Sequence, residues 1–121
     1  MRSLFVAVVV GLLSVSALAQ RATEMLIPIG KSPGVSGVAT AIGTIAACDQ
    51  TSGLQIATEK GSQTAALSTE TKIWLDGSAV RRAHAAGTLS DCQKGRRVEV
   101  KYVYEGSTRT SKAEWIKIAV E

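Results

Sequence analysis

A few residues in this chain have types and spacing that invite chemistry, and each can be tested against what a reaction needs. Gly30-Lys31-Ser32 ends like a phosphate-binding loop. That loop requires glycine at position 25, which is Met, and a helix where Pro33 stands. His84 is the only histidine, so it would have to be the base of any serine or cysteine hydrolase. It lies among Arg81, Arg82, Ala83, Ala85 and Ala86 with no Gly-x-Ser-x-Gly elbow nearby, which reads as a solvent-exposed loop histidine. Paired carboxylates for glycoside chemistry would come from Asp49, Asp76 or Asp91. Each of these sits where a turn or a helix cap accounts for it. A soft-metal site would need Met25 and His84, which are on different segments. No catalytic residue, cofactor or metal is therefore expected.

Two other groups stand out. Trp74 shares its strand phase with Lys72, and Trp115 shares its phase with Lys117. If both phases point outward on neighbouring strands, the four side chains form one patch. It could be an exposed stacking and cation platform for a sugar, polymer or single strand. Alternatively Met25, Leu26, Ile27 and Ile29 cover it, which would solve two burial problems at once. The second group is basic: Arg81, Arg82, Lys94, Arg96, Arg97 and Lys101 face only Asp91 and Glu99 within residues 81–101. It reads as a solvated face or as a contact for an anionic partner such as lipid head groups, an acidic glycan or an acidic protein.

The start of the chain sets the compartment. Met1-Arg2-Ser3, a run of apolar residues from Leu4 to Val15 and the small-x-small site Ala17-Leu18-Ala19 make the layout of a signal peptide over residues 1–19. The run is short of the ~20 residues of a spanning helix. Cleavage after Ala19 takes 19 of 121 residues and leaves 102, enough for one small domain. Losing Arg2 lowers the formal charge from +4 to +3. That is mild for a nucleic-acid binder. A periplasmic or secreted product with only two cysteines, Cys48 and Cys92, is expected to join them.

The elements that position these groups are mostly strands. Residues 20–37, with Pro28, Pro33 and three glycines, read as an extended strap across the domain. A barrel domain then occupies residues 38–121. Its first strand begins at Val38 and bends at Gly43 with a phase slip. Leu54, Ile56 and Thr58 form the second strand, and Thr64 to Leu75 the third. Val98, Val100, Tyr102 and Tyr104 mark the fourth, and Ile116, Ile118 and Val120 the fifth. One short helical turn falls at residues 88–95, capped by Thr88 or Ser90 and ended by Gly95, with Leu89 and Cys92 inward. Five strands with one helical turn between strands 3 and 4 make an all-β, OB-like Greek-key barrel.

Short motifs carry a family likeness: Gly43-Thr44-Ile45, Asp49, Thr71-Lys72-Ile73, Leu89-Ser90-Asp91, Gly95-Arg96-Arg97-Val98 and Ala113-Glu114-Trp115-Ile116. From Gly43 to Val120 the chain resembles the secreted bacterial OB-like domains of unknown function. The resemblance implies a small five-stranded barrel and brings no catalytic residues. The strap and the cysteine pair fall outside its pattern. The functional expectation is an exported binding or interaction module of the cell envelope, without catalysis. Its partner would be met through Trp74, Trp115, Lys72, Lys117, Arg81, Arg82, Arg96 and Arg97. The alternative is a structural or assembly subunit, or a stress-protective envelope protein, with no small ligand.

Overall fold

The computed structural model describes residues 23–121; the signal peptide expected at 1–19 and the first residues of the strap lie outside them. Seven strands follow in order: β1 (Thr40–Asp49), β2 (Gly53–Thr58), β3 (Gly61–Ala65), β4 (Lys72–Asp76), β5 (Ala85–Ala86), β6 (Arg97–Glu105) and β7 (Thr108–Ala119). They form one sheet ordered β3-β2-β1-β6-β7-β4-β5. All neighbours are antiparallel except β4 and β7, which run parallel.

The all-β class holds, but the five-stranded closed barrel is corrected to an open sheet of seven strands. The third expected strand, 64–75, is cut in two. Around Ser68 the hydroxyls take backbone partners: Thr71 Oγ1 accepts the Ser68 N–H at 3.1 Å, and Ser68 Oγ accepts the Glu70 N–H at 3.2 Å. Ser and Thr suit such local bonds as well as they suit a strand, and here the turn wins. The two ends of the chain so divided serve different neighbours, β3 pairing β2 and β4 pairing β7. Between them Ala66 makes a single parallel bridge to Lys112. That bridge brings the sheet's halves together without a continuous ladder. The remaining additional strand, β5, is a two-residue pairing of Ala85 and Ala86 with β4 at the edge of the sheet.

Alternation places the core on one face. Ile45, Leu54, Ile56, Val98, Val100, Tyr102, Ile116 and Ile118 are almost wholly buried there. Ile73, Leu75 and Leu89 pack against them, and Tyr104 lies outside, 38% exposed. Burial pushes the Tyr102 hydroxyl pKa up, with the Arg109 guanidinium 4.3 Å from its ring pulling the other way.

The expected bend at Gly43 is displaced. The register shift of β1 against β2 falls between Ile45 and Ala47. Gly43 serves a close approach instead: a Cβ there would lie 2.2 Å from the Ala57 carbonyl oxygen. Backbone cannot yield as a flexible side chain can, so Gly43→Ala should destabilise the domain by ~1–3 kcal/mol. A denaturant midpoint unchanged from the parent chain would refute this.

The helical turn is a 3-10 turn at Leu89–Asp91, with Thr88 as its N-cap; the Asp91 carboxylate accepts the Thr88 N–H at 2.8 Å. The expected end at Gly95 is corrected: the turn closes at Cys92, with φ −81°, and Gly95, with φ +94°, serves the following turn into β6. A second 3-10 turn, Ser78–Val80, follows β4. Cys48 at the end of β1 is joined to Cys92 just after the Leu89–Asp91 turn.

Candidate functional site

The face opposite the core is built by the same alternation. Residues Lys72, Trp74 and Asp76 on β4 share it with Trp115 and Lys117 on β7, Arg97, Glu99 and Lys101 on β6, and Thr40 on β1. Register sets Trp74 beside Lys117, Lys117 beside Glu99, and Lys72 beside Trp115. Such a row of charges should face water. Instead Glu99 and Lys117 are 0% exposed, Asp76 5% and Trp115 3%.

Residues 23–39 account for that burial. Lys117 Nζ lies 3.0 Å from Glu24 Oε1 and donates to the Ile27 carbonyl at 3.0 Å. Ser32 Oγ donates to the same Glu24 oxygen. The Ile29 N–H donates to Asp76 Oδ2 at 2.8 Å. Glu99 accepts the Gly30 N–H at 3.1 Å, the Ser36 hydroxyl at 2.6 Å and the Thr40 hydroxyl at 2.7 Å. The strap is thus fixed by three buried ionisable side chains reading its backbone and hydroxyls. Buried charges survive only when paired and fully hydrogen-bonded, and each of these three has its partners.

Two expectations about the strap change. It is not extended: residues 23–26 make one helical turn, and N–H to carbonyl bonds close further turns from Lys31 to Pro28, Ser36 to Ser32 and Ala39 to Val35. The positive φ of Gly30, Gly34 and Gly37 permits this folding back. Nor do its apolar residues all cover the tryptophans. Ile29 is buried, Met25 and Ile27 are half-buried, and Leu26 is 58% exposed.

The tryptophans do meet. Their ring centroids are 5.3 Å apart and tilted by 30°, and Lys117 Nζ sits 4.5 Å from the Trp115 centroid. Trp74 is half-buried and Lys72 exposed, whereas Trp115 and Lys117 are inaccessible. The four residues are therefore adjacent, but they do not form an open platform. Arg81 and Arg82 are exposed after the Ser78–Val80 turn, and Arg81 has φ +56°. Arg96 is half-buried and Arg97 exposed at the start of β6. The two arginine pairs lie on separate segments.

His84 is corrected from exposed to largely enclosed: its side chain is 13% exposed, with Nε2 3.5 Å from Asp76 Oδ1. Its Nδ1 is buried and has no hydrogen-bond partner among the described residues. For Asp76, burial pushes the carboxyl pKa up, but hydrogen bonds from Ser78 and Ile29 and the nearby His84 outweigh it. The carboxyl is held below its ordinary 3.8. A depressed carboxylate contributes stability that is fully present above its unfolded value and lost as pH falls through the folded one. Acid titration should therefore show a loss below pH ~4 that Asp76→Asn makes shallower. Identical slopes for the two proteins would count against the assignment.

Sequence reasoning counted Glu99 only as a charge in a basic region, and it left open whether Lys117 is exposed or lies beneath the strap; the structure buries both. The signal present was indirect: a polar strap needs polar partners, and Lys117 shares its phase with a tryptophan. A depression of about 290 Å³ elsewhere is lined, among the described residues, by uncharged side chains: Gln50, Ser68, Thr69 and Thr71 with Leu67, Ile73 and Leu89. Among the described residues no cluster of His, Cys, Asp and Glu could hold a metal ion, and no helix is long and apolar enough to cross a membrane.

Fold and site together define an all-β domain whose outer sheet face is closed by its own N-terminal segment. Comparison with protein families, curated proteins and solved structures finds no match.

Proposed function

We propose that this protein is a small exported binding module of the cell envelope that acts without catalysis and meets an anionic component through its basic side chains. One observation carries the reading. Every buried charge on the outer face is consumed internally, whereas Lys72, Arg81, Arg82 and Arg97 are exposed and enter no ion pair among the described residues. Such cations favour an anionic surface in a salt-dependent way. The signal-like sequence of residues 1–19 and the disulfide support a periplasmic or secreted location in this reading. Kinship with the secreted OB-like domains is part of the proposal, supported by the long β1, the parallel β4–β7 pair and the 3-10 turn before β6. Neither nucleotide nor nucleic acid is the partner in this reading.

The test is retention on anionic vesicles, acidic glycans and envelope extract. Retention should be strong at low salt, fall as salt rises, and drop about tenfold or more in Arg81→Glu/Arg82→Glu/Arg97→Glu. No retention on any of the three sinks the proposal. A second reading, an accessory subunit without a small ligand, is favoured by the strap filling the face beside the tryptophans. It predicts one protein partner co-purifying at fixed stoichiometry.

A further inference from the structure

The outer face holds this chain's own residues 24–36 much as a binding groove holds a peptide. Asp76 and Glu99 accept the N–H groups of Ile29 and Gly30, and Lys117 holds the Ile27 carbonyl. Glu99 also takes the Ser36 hydroxyl, and Lys117 the Glu24 carboxylate. These contacts recognise a backbone stretch with a carboxylate five residues before a buried isoleucine that glycine follows. They span 47 to 93 positions of sequence, so nothing in them requires the segment and the groove to belong to one molecule. Residues 37–39 alone link the anchored Ser36 to β1. There Val38 is 76% exposed and Gly37 has φ +78°. A short connection between an anchored arm and a core is the arrangement in which identical elements exchange between copies.

We propose that this groove also takes residues 24–36 of a second copy, giving a dimer in which the two straps are exchanged. The occupant follows from complementarity, since this segment satisfies all three buried charges. The tethered strap enjoys a high effective concentration, of mM order for short links. Exchange therefore requires the strap to be released first, as on refolding at high protein concentration.

Charge reversal tests it with the whole mature chain. Glu24→Lys sets a lysine against Lys117, and Lys117→Glu sets a glutamate against Glu24, so each variant alone repels its own strap. When the two are refolded together, both straps meet an opposite charge only across the pair. The expected product is a one-to-one heterodimer by native mass spectrometry, absent when either variant is refolded alone. Should either variant fail to fold by itself, recovery of its far-ultraviolet circular dichroism on co-refolding is the same result. A second measurement uses the unaltered chain, refolded with an excess of a labelled peptide of residues 23–37. Retention should be roughly a hundredfold weaker for that peptide carrying Glu24→Lys. Absence of the heterodimer together with absence of peptide retention overturns the proposal.

Discussion

Glu24→Ala is expected to lower stability by about 2–3 kcal/mol, a large loss for one side chain on a surface segment. The reason lies with its partner. Lys117 is fully buried, and Glu24 is the only carboxylate in contact with its ammonium among the described residues. Removing one member of a buried pair leaves an uncompensated charge, which typically costs ~3–5 kcal/mol. The expected figure is smaller because the Glu24 side chain keeps 19% of its exposure and because Lys117 retains the Ile27 carbonyl and the face of Trp115. Replacing both charges tells a different story. Glu24→Leu/Lys117→Met should be more stable than either single change, because apolar side chains of similar size do not pay ionic desolvation. A residual deficit should remain from the Ile27 carbonyl and the Ser32 hydroxyl, which lose their partners. Urea unfolding of the four proteins gives the coupling directly. Strict additivity would show that the pair is not what holds the strap. Tryptophan fluorescence offers a second readout, since a loosened strap should wet Trp115 and shift its emission to the red.

The pattern on the core face was legible because it is local. Val98 and Val100 flank Glu99, Ile116 and Ile118 flank Lys117, and all four apolar side chains are buried on one side of the sheet. The Leu89–Asp91 turn was legible for the same reason: a cap residue and two inward side chains at a spacing of three stand within five positions, although the turn closes at Cys92 rather than at Gly95. Strand count was not, because Ser68 and Thr71 can serve a strand or bond their own backbone, and only the neighbours of β3 and β4 decide. The polar anchoring was hidden for a further reason. Glu99 stands between Arg97 and Lys101 in a row that looks like a solvated face. Its partners Gly30 and Ser36 are 69 and 63 positions away. His84 was misplaced likewise, since a run of arginine and alanine gives no hint of Asp76 beside it. Strand alternation says which face a side chain takes. It does not say what lies over that face.

Loss of the Cys48–Cys92 bond should be the other large effect, about 4 kcal/mol on the chain-entropy model for a closed loop of this length. For a small domain that is a substantial share of a total of ~5–15 kcal/mol. The bond closes a separation of 44 residues that includes β2 to β5. Its effect on the folded state should be concentrated where regular pairing is sparse, between β4 and β6. There the chain relies on two 3-10 turns and the two-residue β5. Cys92 is buried at 6% exposure in the core, while Cys48 is only half-buried. Cys48→Ala/Cys92→Ala is therefore the cleaner variant, because serine at position 92 would add a buried hydroxyl in need of a partner. The double alanine variant should unfold at lower denaturant with a steeper dependence, because its unfolded chain is free to expand. Amide exchange should quicken around Leu89 and Cys92 before it does in β6 and β7. If stability fell while the slope and the exchange order stayed as in the parent, the bond would be acting through packing at Cys92. The constraint on the unfolded chain would then be the minor contribution.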